Sequence, residues 1–244
     1  MAQVHSRYVR GALAYYDTHL MRVLDAVGGE VIKFDLRPDT HNLQDQAGTG
    51  SDPAGAIVTV VEAGSGTSEI TGSKTAGYAA ELVTAANEDD GISVQWADEN
   101  YEFTTDQDLY FGIELEVTDA DATDFLVGLA ITDTALLGGL SDGVYFESLD
   151  GSTDINAVTE KDSTETTSSS AVGTLADNTV VYLEFYWDGS SSTVYFFVNG
   201  VQQATSSTNV PDDEALRPSL EFLSGEASAN TMKVRQMRAI QIGR

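Results

Sequence analysis

The residues best placed to do chemistry are the acids of Glu114-Leu-Glu116-Val-Thr-Asp119. Alternate residues of a strand share a face, which sets Glu114 and Glu116 about 6–7 Å apart at their Cα atoms. Two carboxylates near that spacing are the equipment of glycoside hydrolysis, one donating a proton while the other acts as base or nucleophile. Asp119 would be a third acid beside them. In a chain with 39 acids and 12 bases, however, a solvated acidic strand face is the commoner use of such a run, and no catalytic residue is expected. The histidines His5, His19 and His41 all precede residue 42. The rest of the chain therefore cannot build a Ser-His-Asp triad or a histidine-ligated metal site. With no cysteine there is no disulfide, thiol nucleophile or thiolate zinc site.

Two turn segments concentrate oxygen ligands. Asp119, Asp121 and Asp124 cluster within six residues, and Asn87-Glu-Asp-Asp-Gly91 does the same. Hard cations take several oxygens from flexible loops, so calcium at Asp119, Asp121 and Asp124 is the one cofactor considered. Neither segment has the twelve-residue EF-hand pattern. A different kind of site would be an exposed aromatic patch. Tyr110, Tyr182, Tyr186 and Tyr195 fall on the less apolar faces of their strands, where they could hold a ligand, pack across strands or form a subunit interface.

The formal net charge is −27, and it is unevenly spread. Between residues 38 and 216 the bases are Lys74 and Lys161 alone, whereas Arg7, Arg10, Arg22, Lys33 and Arg37 precede that body and Arg217, Lys233, Arg235, Arg238 and Arg244 follow it. An acidic body repels nucleic acid and anionic membranes, because both are bound through lysine and arginine. Solubility, or adaptation to concentrated salt, accounts for such acidity without a ligand. No apolar run approaches the ~20 residues needed to cross a bilayer. The N-terminal stretch, broken by Arg7, Arg10 and Asp17, does not read as a secretory signal.

Positioning these residues falls to a series of short strands. Apolar residues at Val9, Leu13, Tyr16, Leu20, Leu24 and Val27 step by three or four, which predicts a helix over 6–29 ended by Gly28-Gly29. Its stripe would need burial, either on the sandwich or on a neighbouring subunit; the second is slightly favoured, so residues 1–29 are expected to form an assembly arm toward a shell or another copy of the chain. From Glu30 the period becomes two. Leu109, Phe111, Ile113, Leu115 and Val117 alternate with Tyr110, Gly112, Glu114 and Glu116 in a half-buried strand. Residues 180–187 and 193–198 flank the turn 188–192, Asn199-Gly200 makes a second tight turn, and 219–223 and 231–242 supply the last strands. The polar stretch 159–172 reads as an exposed loop. The expected fold is all-β: a two-sheet antiparallel jelly-roll sandwich over 30–244, best defined over 72–242, preceded by one N-terminal α-helix.

The order of pieces from about 72 to 242 resembles the concanavalin A-like, or laminin G-like, jelly-roll modules of tailed-virus structural proteins. The resemblance lies in Gly91–Trp96, Asp108–Val117, Phe125–Asp133, Asp142–Phe146, Leu183–Gly189 and Val194–Gly200. It implies a non-enzymatic virion protein, a capsid decoration, turret or fibre subunit on the particle surface. Its partners would be other virion proteins and copies of itself, as a trimer or pentamer. The alternative is a carbohydrate-binding module for host surface glycans. Jelly-roll glucanases carry a similar strand motif, Glu-x-Asp-x-x-Glu; Glu114, Glu116 and Asp119 depart from it by exchanging the last two acid types, and only Trp96 and Trp187 could stack sugars.

Overall fold

Period-two alternation governs the described chain. The computed structural model describes residues 4–243 apart from 10–11, 18–21, 39–42, 53–54, 63–65, 72–76, 97, 150 and 169. Every regular element among the described residues is a strand, and every pairing is antiparallel. Two large sheets face each other. One orders Thr164–Thr167, Asp154–Lys161, Gly143–Ser148, Thr123–Ala130, Ala215–Ser224, Gly91–Trp96, Ala56–Val61 and Gly50–Ser51, and two short strands bring it to ten. The other runs Val201–Ser206, Thr193–Val198, Val181–Asp188, Asp108–Val117, Thr231–Ile242, Ala80–Val83, Glu69–Thr71 and Gln46–Ala47, with Val31–Leu36 also on Thr231–Ile242 to make nine.

The core lies between the sheets. Leu109, Phe111, Ile113, Leu115 and Val117 are all fully buried there. Phe111 stacks on Phe185 at 5.0 Å, and Phe146 crosses from the ten-stranded sheet to meet Phe196 edge-on at 5.4 Å and Phe185 at 6.5 Å. Burying each such ring contributes about 1.5–3 kcal/mol, and the aromatic geometry adds to it. Asn199 and Gly200 both take positive φ, 51° and 77°, the hairpin turn their types favour.

The expected N-terminal helix is replaced by strands. Val4–Val9, Ala12–Asp17 and Arg22–Val27 form a separate three-stranded sheet. It lies on the outer face of the nine-stranded sheet, where Ala12, Ala14 and Ala26 pack with Tyr110, Ile240 and Ile242. The helical reading counted only the large apolar residues. The small ones carry the true period: Ala12 and Ala14 alternate inward, and their size lets one sheet settle closely on another. The residues expected on a single stripe are dispersed. Val9 ends the first strand, Leu13 and Tyr16 sit half-buried in the second, Leu24 and Val27 belong to the third, and Val27 is 56% exposed. Leu20 lies outside the described residues, as do His19 and His41. Gly28-Gly29 is the turn into Val31–Leu36, and Lys33 Nζ bridges back to Asp25 at 2.8 Å.

The stretch 159–172 is likewise not a plain loop. Asp154–Lys161 and Thr164–Thr167 pair as a hairpin across Asp162 and Ser163, whose φ values of 51° and 58° are left-handed. β-Branched threonines suit an edge strand, and the low-complexity composition concealed that. The basic C-terminal segment is occupied internally: Arg217 pairs with Glu99 at 3.1 Å, Lys233 with Glu116 at 3.0 Å and Arg235 with Glu114 at 3.2 Å.

Candidate functional site

A cleft of about 650 Å³ opens on the outer face of the ten-stranded sheet. It is built on Gly143–Ser148. With Phe146 fixed inward, Tyr145 and Glu147 must point outward. Neighbouring strands complete the floor in register: Leu126 lies opposite Glu147, Val158 opposite Tyr145, and Glu160 between Gly143 and Glu165. The segment 131–142 crosses the face as a wall. Its Leu136 and Leu140 pack on Leu126, Ala130, Tyr145 and Val158. Glu221 fastens that wall by accepting the Leu137 N–H at 2.5 Å. Gly128 is the clearance that allows this floor, since a Cβ there would strike the backbone at Val144 and the side chain of Tyr145.

The cleft is acidic throughout. Asp89, Asp124, Glu147, Glu160 and Glu165 line it, and among its described lining residues there is no lysine, arginine or histidine. Tyr145 donates its hydroxyl to Glu160 at 2.9 Å, and Thr167 donates to Glu165. Glu147 is only 6% exposed, yet no described residue donates a hydrogen bond to its carboxyl. Burial first, then the charges of Glu165 and Glu160, push that carboxyl up to about 7. Burial also raises Glu160, against the bond from Tyr145 and with help from Glu165 and Asp142. Glu221 reaches about 7 as well, because its burial outweighs the N–H bonds from Leu137 and Leu136. Glu221 lies beneath the wall rather than in the cleft.

Of the acids singled out in the sequence, Asp89 and Asp124 line this cleft, and the others lie elsewhere. Glu114 and Glu116 share the outer face of the opposite sheet, where cations hold both. Gln236 Nε2 and Arg235 Nη1 donate to Glu114 at 3.2 Å each, and Lys233 Nζ to Glu116 at 3.0 Å. Burial opposes ionisation of Glu116, but the bonds from Lys233 and Tyr78 prevail and hold it below the ordinary range. Such a pair, held by Arg235, Gln236 and Lys233, is a structural ion cluster. Asp119 bonds to Asp121, which raises it, and its backbone joins Asn230. Asp124 instead reaches the cleft. Among the described residues no three acids or histidines are arranged to hold a metal ion.

Of the four tyrosines, Tyr110, Tyr186 and Tyr195 form one cross-strand row. Tyr110 is 3% exposed; it donates to Glu184 at 2.8 Å and meets the Tyr182 hydroxyl at 2.9 Å. The N-terminal sheet covers Tyr110 and packs against Tyr186, so these two rings serve packing and are not an open platform. The residues that do line a cleft, Tyr145, Glu147, Glu160 and Glu165, went unread. The alternation through Gly143–Ser148 could have found the first two. The other two lie in 159–172, whose polar, low-complexity composition reads as a loop in sequence and folds as a hairpin.

No protein-family model matches the chain, and no curated protein matches it in sequence. Its fold is similar to that of solved structures. An endo-1,3-β-glucanase from Streptomyces sioyaensis aligns with TM-score 0.57 and 13% identity over 90% of this chain and 99% of that one. The Emp47p carbohydrate recognition domain aligns with TM-score 0.57 and 8% identity over 88% and 98%. A Bacillus licheniformis β-glucanase aligns with TM-score 0.56 and 12% identity over 85% and 97%. The chain therefore has the concanavalin A-like jelly-roll fold, shared by lectin domains and glucanases. At these identities the likeness concerns fold, and it leaves enzymatic activity open.

A carboxyl raised from 4.5 to about 7 on folding stabilises the fold fully below pH 4.5, and that contribution is lost as pH rises through 7. Glu147→Gln removes the loss. Urea unfolding of the variant and the wild type is expected to agree near pH 4.5. The variant should gain up to about 3 kcal/mol by about pH 8. A pH-independent difference would contradict the buried, unrelieved carboxyl.

Proposed function

We propose that the protein binds carbohydrate in the acidic cleft of the ten-stranded sheet and does not hydrolyse it. The observation that carries this reading is the juxtaposition there of Tyr145, Glu147 and Glu160 with apolar Leu137, Leu149 and Leu223. Pyranose rings need both kinds of surface: carboxylates and a phenol for hydroxyls, aliphatic carbon for the C–H faces. The volume suits a short oligosaccharide. The fold similarity to a carbohydrate recognition domain and two glucanases supports the class of ligand.

Binding is favoured over hydrolysis by how the acids are held. Glu160 is engaged by Tyr145, and its cross-strand neighbour Glu165 is exposed and takes a bond from Thr167.

Attachment to a virion, with copies of itself and shell proteins as partners, is a further proposal that rests on the sequence resemblance alone. The folded-back N-terminal sheet does not offer the helical stripe on which that arm depended. Sedimentation of the protein with intact particles is its test.

Oligosaccharide binding and reducing-end release can be followed on the same panel of neutral and charged hexasaccharides. Wild type is expected to bind at least one, release no reducing ends, and lose about tenfold in affinity in Glu160→Gln. Reducing-end release abolished by that substitution would overturn the non-enzymatic reading. Absence of any binding would overturn the carbohydrate reading.

A further inference from the structure

We propose that the cleft selects a cationic sugar, a glycan whose pyranose rings carry free ammonium groups, and that Glu147 is the residue that meets the ammonium. This rests on the carbohydrate reading above and narrows its ligand.

The cleft has no cation of its own among its described lining residues, which include five acidic residues. The bases beside this sheet are directed elsewhere: Lys161 pairs with Asp212 and with Asp213 at 3.0 Å, and Arg217 with Glu99 at 3.1 Å. Within the cleft, Glu160 takes a bond from Tyr145 and Glu165 one from Thr167. Glu147 takes none from any described residue, although it is 94% buried by its 6% exposure. Its side chain lines the cleft, and a carboxyl so largely buried, with no donor from the described residues, is costly to ionise. A protein keeps such a group where an incoming ligand supplies the missing donor and charge.

The shape of the site chooses among cations. Calcium wants six to eight oxygens at about 2.3–2.6 Å, and among the described residues no three acids converge in that way. The acids instead ring a space of about 650 Å³, the size of an organic ligand. One side of that space is aliphatic: Leu137, Leu149 and Leu223 line it, and Leu149 is 44% exposed. A hydrated metal ion has no use for that wall, while a sugar ring lies against it by its C–H face. Uronic or sulfated glycans would bring further negative charge into the ring of acids. An amino sugar satisfies all three features: an ammonium for Glu147, hydroxyls for Glu160 and Tyr145, and carbon for the leucines.

Proton release should accompany binding. Glu147 shares the cleft with Glu160 and Glu165 from the hairpin, Asp124 from the next strand, Asp89 from the 87–91 turn and Tyr145 on its own strand. Burial, Glu165 and Glu160 hold its carboxyl near 7 in the free protein, and an adjacent ammonium lowers it.

The test is calorimetry on the full chain at neutral pH and low ionic strength, in two buffers of different ionisation enthalpy. The probes are glucosamine hexamer, N-acetylglucosamine hexamer, cellohexaose and hexalysine. The deacetylated hexamer is expected to bind at least about tenfold more tightly than the acetylated one, with proton release. Glu147→Gln, checked for folding by its melting transition, should erase both the preference and the release. Asp106→Asn, which changes the same charge at an exposed turn residue, should preserve them. Equal affinity for the two amino-sugar hexamers, equal losses in both variants, or hexalysine binding as tightly would overturn the proposal while any sugar binding sustains the broader reading. If no hexasaccharide binds, both fall together.

Discussion

The cleft depends on Phe146. Its ring is locked between the sheets against Phe185 and Phe196, and a strand cannot turn one side chain inward without turning its neighbours outward. Tyr145 and Glu147 are thus held on the outer face by the same packing that holds the sandwich together. A one-residue slip of Gly143–Ser148 would expose Phe146 and bury a carboxylate in the aromatic cluster, so register is enforced from both sides. Position in the cleft is consequently a property of the core.

That rigidity explains how an unfavourable electrostatic arrangement persists. Several described acids are met by a partner: Glu114 and Glu116 by Arg235 and Lys233, Glu99 by Arg217, and one oxygen of Glu184 by Tyr110. The Glu147 carboxyl takes no donor from the described residues. The destabilisation, of the order of a few kcal/mol above neutral pH, is small beside what the buried core contributes, and proteins commonly retain such strain where a ligand will relieve it. The large negative charge of the chain therefore has two components. Most of it is solvated surface, and a small part is a buried, uncompensated group with a defined place.

The sandwich itself was legible in the sequence because its strands obey the simplest rule available. Leu109 through Val117 alternates without exception, and Asn199-Gly200 carries its turn type in its residue names. The N-terminal sheet was not legible, since Ala12, Ala14 and Ala26 are too small to register as a hydrophobic face and the larger residues around them happen to fall at helical intervals. The hairpin at 154–167 was masked by its threonines and serines. With it went Glu160 and Glu165. Strand period alone puts Glu114 and Glu116 on one face, but their partners lie more than a hundred residues away on Thr231–Ile242, and no local pattern announces such a pairing. Burial of Glu147 is equally non-local: it needs the wall 131–142 and the hairpin to close around it.

Ligand selection by the cleft depends on the state of that one carboxyl. Carbon-13 NMR titration of the Glu147 side chain, assigned by its loss in Glu147→Gln, measures it directly. A midpoint near 7 is expected in the free protein. A midpoint at the ordinary glutamate value near 4.5 would mean that water or another donor already satisfies the group, and would contradict an unrelieved carboxyl in the cleft.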